Sequence, residues 1–407
     1  MEEKDTYRSK RLKLDAGAWL LLLGVVAIAF TLRSPLTAVG PVISRIIEDL
    51  GISNTTAGFL TTIPLLTFAL VSPVVPKIAD RIGMARSLFL ALLVLTIGII
   101  IRSSGGTGLL LAGTFLLGVA ISFANVLLPS LVKMNFPMQV GLMTGIYTVS
   151  MNLAAGTAAG LSAPVADSFA PGWRASIGIW ALLAAAALVI WLPQVKKRPV
   201  LEASGPAKGP APRPLWKSPL AWGVTFFMGL QSVMFYTTAA WVPEVLVSRG
   251  FEESTAGWMF SLLQFSQIPL TFLVPIIAGR MKDQRLLVVI IAAFYIAGYG
   301  GLFVDNMSLT PLWMILMGVA GGASFGLAMM FFALRTRTPS ESASLSGMAQ
   351  SIGYLLAAAG PVLFGALHDV TGNWTASLWL FIVTIILLFL SGMIAGRDEK
   401  TVPTAAL

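Results

Sequence analysis

Few groups in this 407-residue chain are able to do chemistry. It has no Cys and a single His, which excludes a disulfide framework and any Cys or multi-His metal site. Its 18 Asp and Glu stand against 27 Lys and Arg, and no acid lies inside the long apolar stretches. A membrane enzyme needs clustered carboxylates, His residues or a nucleophile with a base. A proton-driven exporter of cations usually carries an intramembrane acid. Neither pattern occurs. What remains is Arg33, the one charge within an apolar stretch. A central Arg costs at least about 2.5 to 3.5 kcal/mol and usually faces a cavity or substrate path. With no acid to pair with, its planar fork of five donors suits an anionic or strongly accepting ligand, and Pro35 frees the carbonyl of Thr31 beside it. The competing reading is snorkelling, since Arg33 lies about 25 Å along its helix at 1.5 Å per residue.

Neutral polar residues supply the other candidate contacts, and helical spacing decides which share a face. Gln264, Gln267 and Thr271 stand at i, i+3 and i+7; Ser346, Gln350 and Tyr354 at successive i+4 steps; Ser122 and Asn125 at i, i+3. Asn152 and Gln231 complete the set. For each, the alternative is an ordinary interhelical hydrogen bond, worth about 0.6 kcal/mol on average. Phe235, Tyr236, Trp258 and Phe265 offer faces for a planar ligand or for Arg stacking, against the alternative of packing on lipid or helix. Asp167, Glu244, His368 and Asp369 are expected near span ends in water, where they are the only candidates for proton coupling.

The elements that must position these groups are transmembrane helices. The chain is 56% apolar and 11% charged, with a mean hydropathy of +0.84, far from a soluble domain. Twelve charge-free runs of at least 15 residues occur, at 16–32, 50–76, 87–101, 103–132, 134–166, 175–195, 218–243, 254–279, 286–304, 306–334, 342–367 and 370–396. Each fits one crossing, since the bilayer core needs about 20 helical residues. The first run lacks a small-residue cleavage site and is expected to stay in the mature protein. Twelve spans put both termini on one side. That side carries 22 Lys and Arg and the other four, with Arg33 inside a span, so the termini are expected in the cytoplasm of a bacterial-type plasma membrane. The +9 charge is a topology signal and gives no support for nucleic-acid binding.

The expected organisation is a tail at 1–15, a six-helix half at 16–193, a Pro-rich basic linker at 194–217, a second half at 218–396 and a tail at 397–407. The halves repeat in collinear order. Gly51, Thr56, Ala57 and Gly58 match Gly250, Thr255, Ala256 and Gly257 at an offset of 199 residues, and Ser122, Phe123, Pro137, Gly145 and Asp167 match Ser324, Phe325, Pro339, Gly347 and Asp369 at 202. Trp173 matches Trp374 at 201. A duplicated six-helix unit is the plan of carriers that rock two halves around a central site.

The loop Pro76-Lys77-Ile78-Ala79-Asp80-Arg81-Ile82-Gly83-Met84-Ala85-Arg86 resembles the major facilitator superfamily motif Gly-x-x-x-Asp-Arg-x-Gly-x-Arg-Arg. Asp80, Arg81, Gly83 and Arg86 match it, while Pro76 and Ala85 depart from it. In the second half Gly279, Arg280 and Asp283 keep part of the spacing. The resemblance covers the whole chain and implies an all-α fold of twelve helices in two pseudo-symmetric halves, with Asp80, Arg81, Gly83 and Asp283 in gating. Leu32-Arg33-Ser34-Pro35, Val39-Gly40-Pro41, Met151-Asn152, Gly347 through Tyr354 and Gly360-Pro361 are similar to the cyanate and 2-nitroimidazole porter branch. That resemblance implies passage of a small anion or small polar heterocycle, and a chain that is not an enzyme. Arg33, Asn125, Asn152, Gln231, Gln264, Gln267, Gln350 and Tyr354 are the candidate substrate contacts. The alternative cargo is a neutral or weakly acidic drug-like heterocycle on its way out. No cofactor or metal is expected, protons are the candidate coupling ion, and the carrier is expected to be a monomer in the bilayer.

Overall fold

The computed structural model describes residues 16–52, 54–196, 215–304 and 307–401. Among them every regular element is helical: α1 Ala16–Thr37, α2 Ile43–Leu50, α3 Asn54–Val71, α4 Val75–Ile82, α5 Met84–Ser103, α6 Thr107–Asn135, α7 Val140–Ser168, α8 Trp173–Gly178, α9 Trp180–Lys196, α10 Pro219–Val247, α11 Glu253–Arg280, α12 Arg285–Gly301, α13 Thr310–Leu334, α14 Pro339–Thr371 and α15 Trp374–Ala395. Helices are the form that satisfies backbone polar groups without water, and the long ones are apolar almost without break, whereas the short α2 and α4 carry charges. Prolines inside α1, α3, α6, α7, α10, α11 and α14 are tolerated because neighbours re-satisfy the freed carbonyls.

Among the described residues eight helices are long and apolar enough to cross a membrane, or nine with the pair α3–α4, bent by 60°, taken as one span. The 29-residue α7 and α10, each about 43 Å long at 1.5 Å per residue, and the apolar 17-residue α12 are compatible with the twelve crossings expected. Helix α9 continues through Lys196, so it runs three residues past the expected boundary at 193; most of the linker lies outside the described residues.

Within the first half α1 packs on α7, α5 on α6 and α3 on α6, and correspondingly in the second α10 on α14, α12 on α13 and α11 on α13. Between halves the main seams are α7 with α11 and α14 with α3 and α6. These seams close at the end where α1 begins, here called the basic end. A Cβ on Gly141, at the start of α7, would lie 2.5 Å from the Pro275 carbonyl oxygen and 3.1 Å from the Cα of Ile276 on α11, so only Gly permits this approach. Lys133 of the first half ties the same end of the second: its ammonium donates to the carbonyls of Ala333 (3.1 Å) and Thr336 (2.6 Å) and to the Thr336 hydroxyl (2.7 Å). Ala333 supplies one of the terminal carbonyls of α13, and Thr336 lies just beyond that helix end, where a cation is suited.

Two arginines are buried where the sequence places them in loops. Arg102, expected outside the spans, sits in the last turn of α5 with 1% of its surface exposed. It donates to the Pro35 carbonyl at 2.8 Å, one of the end carbonyls of α1 left without a helical partner. Arg335, counted among exposed basic residues, is likewise buried. It donates to the carbonyls of Ala395 (2.7 Å) and Gly396 (3.1 Å) and to Gln284. Helix-end carbonyls explain both burials, and loop charge counts do not see them.

At the other end α2 is clipped to α7 and α8. Arg45 pairs with Asp167 at 2.6 Å, and Asp49 accepts from Arg174 at 2.7 Å and from the Trp173 indole at 3.2 Å. The Arg174 and Trp173 hydrogen bonds hold the Asp49 carboxyl below the usual carboxylate range. Its stabilising contribution is therefore complete above the unfolded value near about 4 and is lost as pH falls through the lower folded value. Thermal midpoints of wild type and Asp49→Asn, measured at low salt, should differ by a constant amount down to about pH 4 and converge in stronger acid. A difference that grows with acid would contradict this assignment.

Candidate functional site

Arg33 leaves α1 about one turn before the helix ends at Thr37 and turns inward. Its Nη1 donates to Asn152 Oδ1 on α7 at 3.0 Å. The guanidinium carbon lies 4.9 Å from the Phe235 ring of α10 and 4.6 Å from the Phe325 ring of α13, within cation–π range of both faces. No carboxylate pairs with it among the described residues. The snorkelling alternative is not what the side chain adopts: it reaches across the middle of the molecule and touches the second half.

Arg33 closes one wall of a narrow cavity of about 20 Å³, formed largely by α10, α11, α12 and α13. Gln231, Gln264 and Gln267 line it. The last two are hydrogen-bonded to each other, while the Gln231 amide donates to the Ser232 hydroxyl and the Met228 carbonyl of its own helix. Tyr299 and Thr238 share a hydrogen bond in the wall, as do Tyr295 and Ser324 at 2.8 Å. The result is a neutral, hydrogen-bonding, partly aromatic cavity with one positive charge at its edge.

Asn152 joins this cavity to the seam between halves. Its Oδ1 accepts the Arg33 hydrogen bond while its Nδ2 donates to the Thr271 hydroxyl on α11 at 3.1 Å, which in turn donates to the Gln267 carbonyl at 2.8 Å. An unbroken chain therefore runs from Arg33 through the first half to the backbone beneath the two glutamines. The i, i+3, i+7 spacing of Gln264, Gln267 and Thr271 thus puts the three on one face of α11, between the cavity and the seam.

Other candidates separate from this centre. Asn125 reaches the Tyr354 hydroxyl only at 3.5 Å, in an aromatic group where Tyr354 meets Phe68 (4.8 Å) and Tyr236 (6.4 Å). Tyr236 touches Phe235 edge-on at 5.1 Å, so this group adjoins the cavity without lining it. Gln350 is fully buried and donates to the Ser346 hydroxyl at 3.2 Å; it lies outside the cavity wall. Trp258 and Phe265 are mostly exposed, at 72% and 59%, and do not line it either. Phe325, Thr238, Tyr295 and Tyr299 do, and sequence reading missed them as site residues. The signals available were the repeat match of Phe325 with Phe123 and the i, i+4 tyrosine pair.

The motif residues sit at the basic end. Gly83 adopts φ 91°, ψ 146° between α4 and α5 and its amide donates to the Ala79 carbonyl at 2.8 Å, a backbone position that favours Gly. Asp80 and Arg81 are exposed on α4, with no ion pair joining Asp80 to Arg81 or Arg86 among the described residues. Asp283, one residue before the N-cap Gln284, accepts from the Arg285 amide that begins α12 at 2.8 Å. Of the four groups expected near span ends, Asp167 is ion-paired, His368 stacks on Trp374 at 3.8 Å, and Glu244 is exposed. The Asp369 side chain lies outside the described residues.

Comparison with known proteins adds relatives over most of the chain. A model of the Major Facilitator Superfamily matches residues 20–361. An uncharacterized transporter of Bacillus subtilis (strain 168), YycB, is 45% identical over 380 residues, covering 93% of this chain and 94% of that protein. A 2-nitroimidazole transporter of Escherichia coli (strain K12) is 38% identical over 383 residues, covering 94% and 96%. The cyanate transport protein CynX of the same organism is 26% identical over 362 residues, covering 89% and 93%. Among solved structures, the proton:xylose symporter XylE bound to 6-bromo-6-deoxy-D-glucose superposes with a TM-score of 0.75 at 12% identity, over 94% of this chain and 97% of that one; this likeness concerns the fold alone.

Proposed function

Because the chain belongs to the major facilitator superfamily and is a multi-pass membrane transporter rather than an enzyme, we propose that its cargo is a small planar anion or nitroimidazole-like heterocycle. The branch resemblance drawn from Arg33, Asn152 and the Gly347–Tyr354 stretch holds at the level of relatives. The cargo reading rests on one observation: Arg33, without a carboxylate partner among the described residues, presents a planar donor fork at the rim of a neutral cavity. A carboxylate-like or bent anion takes two parallel N–H bonds from such a fork, and the Phe235 and Phe325 rings favour a flat ligand. The neutral lining of Gln231, Gln264 and Gln267 supports the second reading, a neutral or weakly acidic heterocycle that Arg33 only hydrogen-bonds.

A thermal-shift panel on the purified carrier separates them, since a ligand of the folded state stabilises by mass action. Cyanate, nitrate, nitrite and carboxylates should shift the midpoint if charge dominates. Nitroimidazoles alone should do so if shape and hydrogen bonding dominate. No shift with any member would reject both.

In this reading the halves 16–193 and 218–396 rock about the cavity as a secondary active carrier. Both termini face the cytoplasm of the bacterial plasma membrane, on the strength of the 22 to four charge bias. Single Cys residues at Ser204 and Asn306, both outside the described residues, should then react with an impermeant thiol reagent from opposite sides; same-side labelling would reject the twelve-span order. Proton coupling is weak or uses groups beyond the spans, because none of the twelve charge-free runs supplies an acid.

A further inference from the structure

Remote from the central cavity, a second one of about 210 Å³ opens at the basic end between the start of α10 and the end of α15. Lys217, Arg397 and Lys400 line it with Glu399 as the one carboxylate, so cations outnumber acids three to one. Ser218 also lines it; its hydroxyl accepts from the Ala221 amide as the N-cap of the 29-residue α10, which turns a positive helix end toward the same space. The cavity does not end on a polar floor. Ile394 lines it, and Leu387, Leu390 and Ile394, at i, i+3 and i+7 on α15, are all solvent- or lipid-exposed. Such a spacing makes one apolar stripe, directed away from the basic pocket along the outer face of the helix array. Beside it Phe226 is exposed and stacks on Trp222 at 5.4 Å, while Trp216, next to Lys217, is 70% exposed. Exposed Trp belongs at headgroup level in a membrane protein.

A cationic pocket seated on a lipid-facing apolar stripe matches one amphipathic shape: phosphate above, acyl chain below. A free phosphate would use the pocket but gain nothing from the stripe. We propose that this cavity binds the phosphate-bearing headgroup of an anionic phospholipid, with Lys217, Arg397 and Lys400 as its charge partners and the α15 stripe as the seat of an acyl chain.

The site connects to the seam between halves. The Thr401 amide and hydroxyl both donate to the Arg335 carbonyl, at 2.8 and 3.1 Å, and Lys400 donates to the Leu334 carbonyl at 2.5 Å. The next residue, Thr336, receives Lys133 from the other half. A headgroup held by Arg397 and Lys400 therefore steadies the segment 397–401 that braces the docking point of Lys133, and favours closure at this end. The inference does not depend on which cargo is carried.

Thermal unfolding of the full-length protein in neutral detergent, titrated with phosphatidylglycerol, phosphatidylcholine or inorganic phosphate, tests it. Phosphatidylglycerol should raise the midpoint, and the other two at equal concentration should not. In the double variant Lys217→Gln, Arg397→Gln the apparent phosphatidylglycerol affinity should fall about 30-fold, from the loss of two interfacial cations. Lys400 is left in place because it also holds Leu334. If the double variant does not fold, Arg397→Gln alone should lose about fivefold. Equal stabilisation by phosphatidylcholine, or an undiminished response in the folded variant, would overturn the proposal. A full response to inorganic phosphate would show a free-anion site and overturn the lipid assignment.

Discussion

Arg33→Ala should bind its anionic or strongly accepting cargo roughly 10- to 150-fold more weakly than wild type, the cost of about 1.5 to 3 kcal/mol for losing a charged hydrogen-bond partner. Arg33→Lys should also lose substantially, although charge is retained, because an ammonium acts as a point charge and cannot reproduce the fork. It would also sit less well between Phe235 and Phe325, whose faces now stack on the flat guanidinium. Affinity is read by thermal shift or equilibrium binding on folded, membrane-inserted protein. The pair of variants separates the two cargo readings: a Lys variant close to wild type with a weak Ala variant would mean charge alone matters. Unchanged binding in both would remove Arg33 from the site.

Gly141→Leu should shift the carrier away from closure at the basic end by roughly 5- to 150-fold, the population equivalent of an overpacking cost of about 1 to 3 kcal/mol. The neighbours that a side chain meets there are the Pro275 carbonyl and Ile276 backbone, at 2.5 and 3.1 Å, and backbone cannot give way as a side-chain end can. The relief available is separation of α7 from α11. A Cys at Thr148, which is fully buried on the same seam with its hydroxyl on the Thr271 carbonyl at 3.3 Å, should then react faster with a small maleimide, and transport should slow. Reactivity and flux both at wild-type levels would show that this seam does not open during the cycle.

Much of the fold is legible in the sequence because lipid imposes one rule on every element. Wherever charge vanishes for 15 or more residues a helix forms, and the twelve runs find their helices. The same scarcity makes Arg33 stand out, and helical spacing puts Gln264, Gln267 and Thr271 on one face. The partners of Arg33 are another matter. Phe235 and Phe325 follow it by about 200 and 290 residues, and the Arg33 side chain reaches both across the two halves; the sequence offers Phe235 as one of several rings for stacking and marks Phe325 only by its repeat match with Phe123. Arg102 and Arg335 look like loop cations and are buried for a reason that counting cannot show, namely the orphan carbonyls at the ends of α1 and α15. Gln350 shows the converse, a polar residue at the expected helical step that bonds Ser346 on its own helix instead of entering the cavity.

Substrate counterflow in proteoliposomes tests the central claim most directly. Vesicles loaded with unlabelled cyanate, nitrite or 2-nitroimidazole are diluted into a trace of the labelled compound. Wild-type carrier should accumulate label transiently for at least one of these small planar solutes, and Arg33→Ala of equal insertion and thermal stability should not. Counterflow that persists unchanged in the Arg33→Ala carrier, or label that moves only with a bulky non-planar solute, would contradict the assignment of Arg33 as the cargo's anchoring charge.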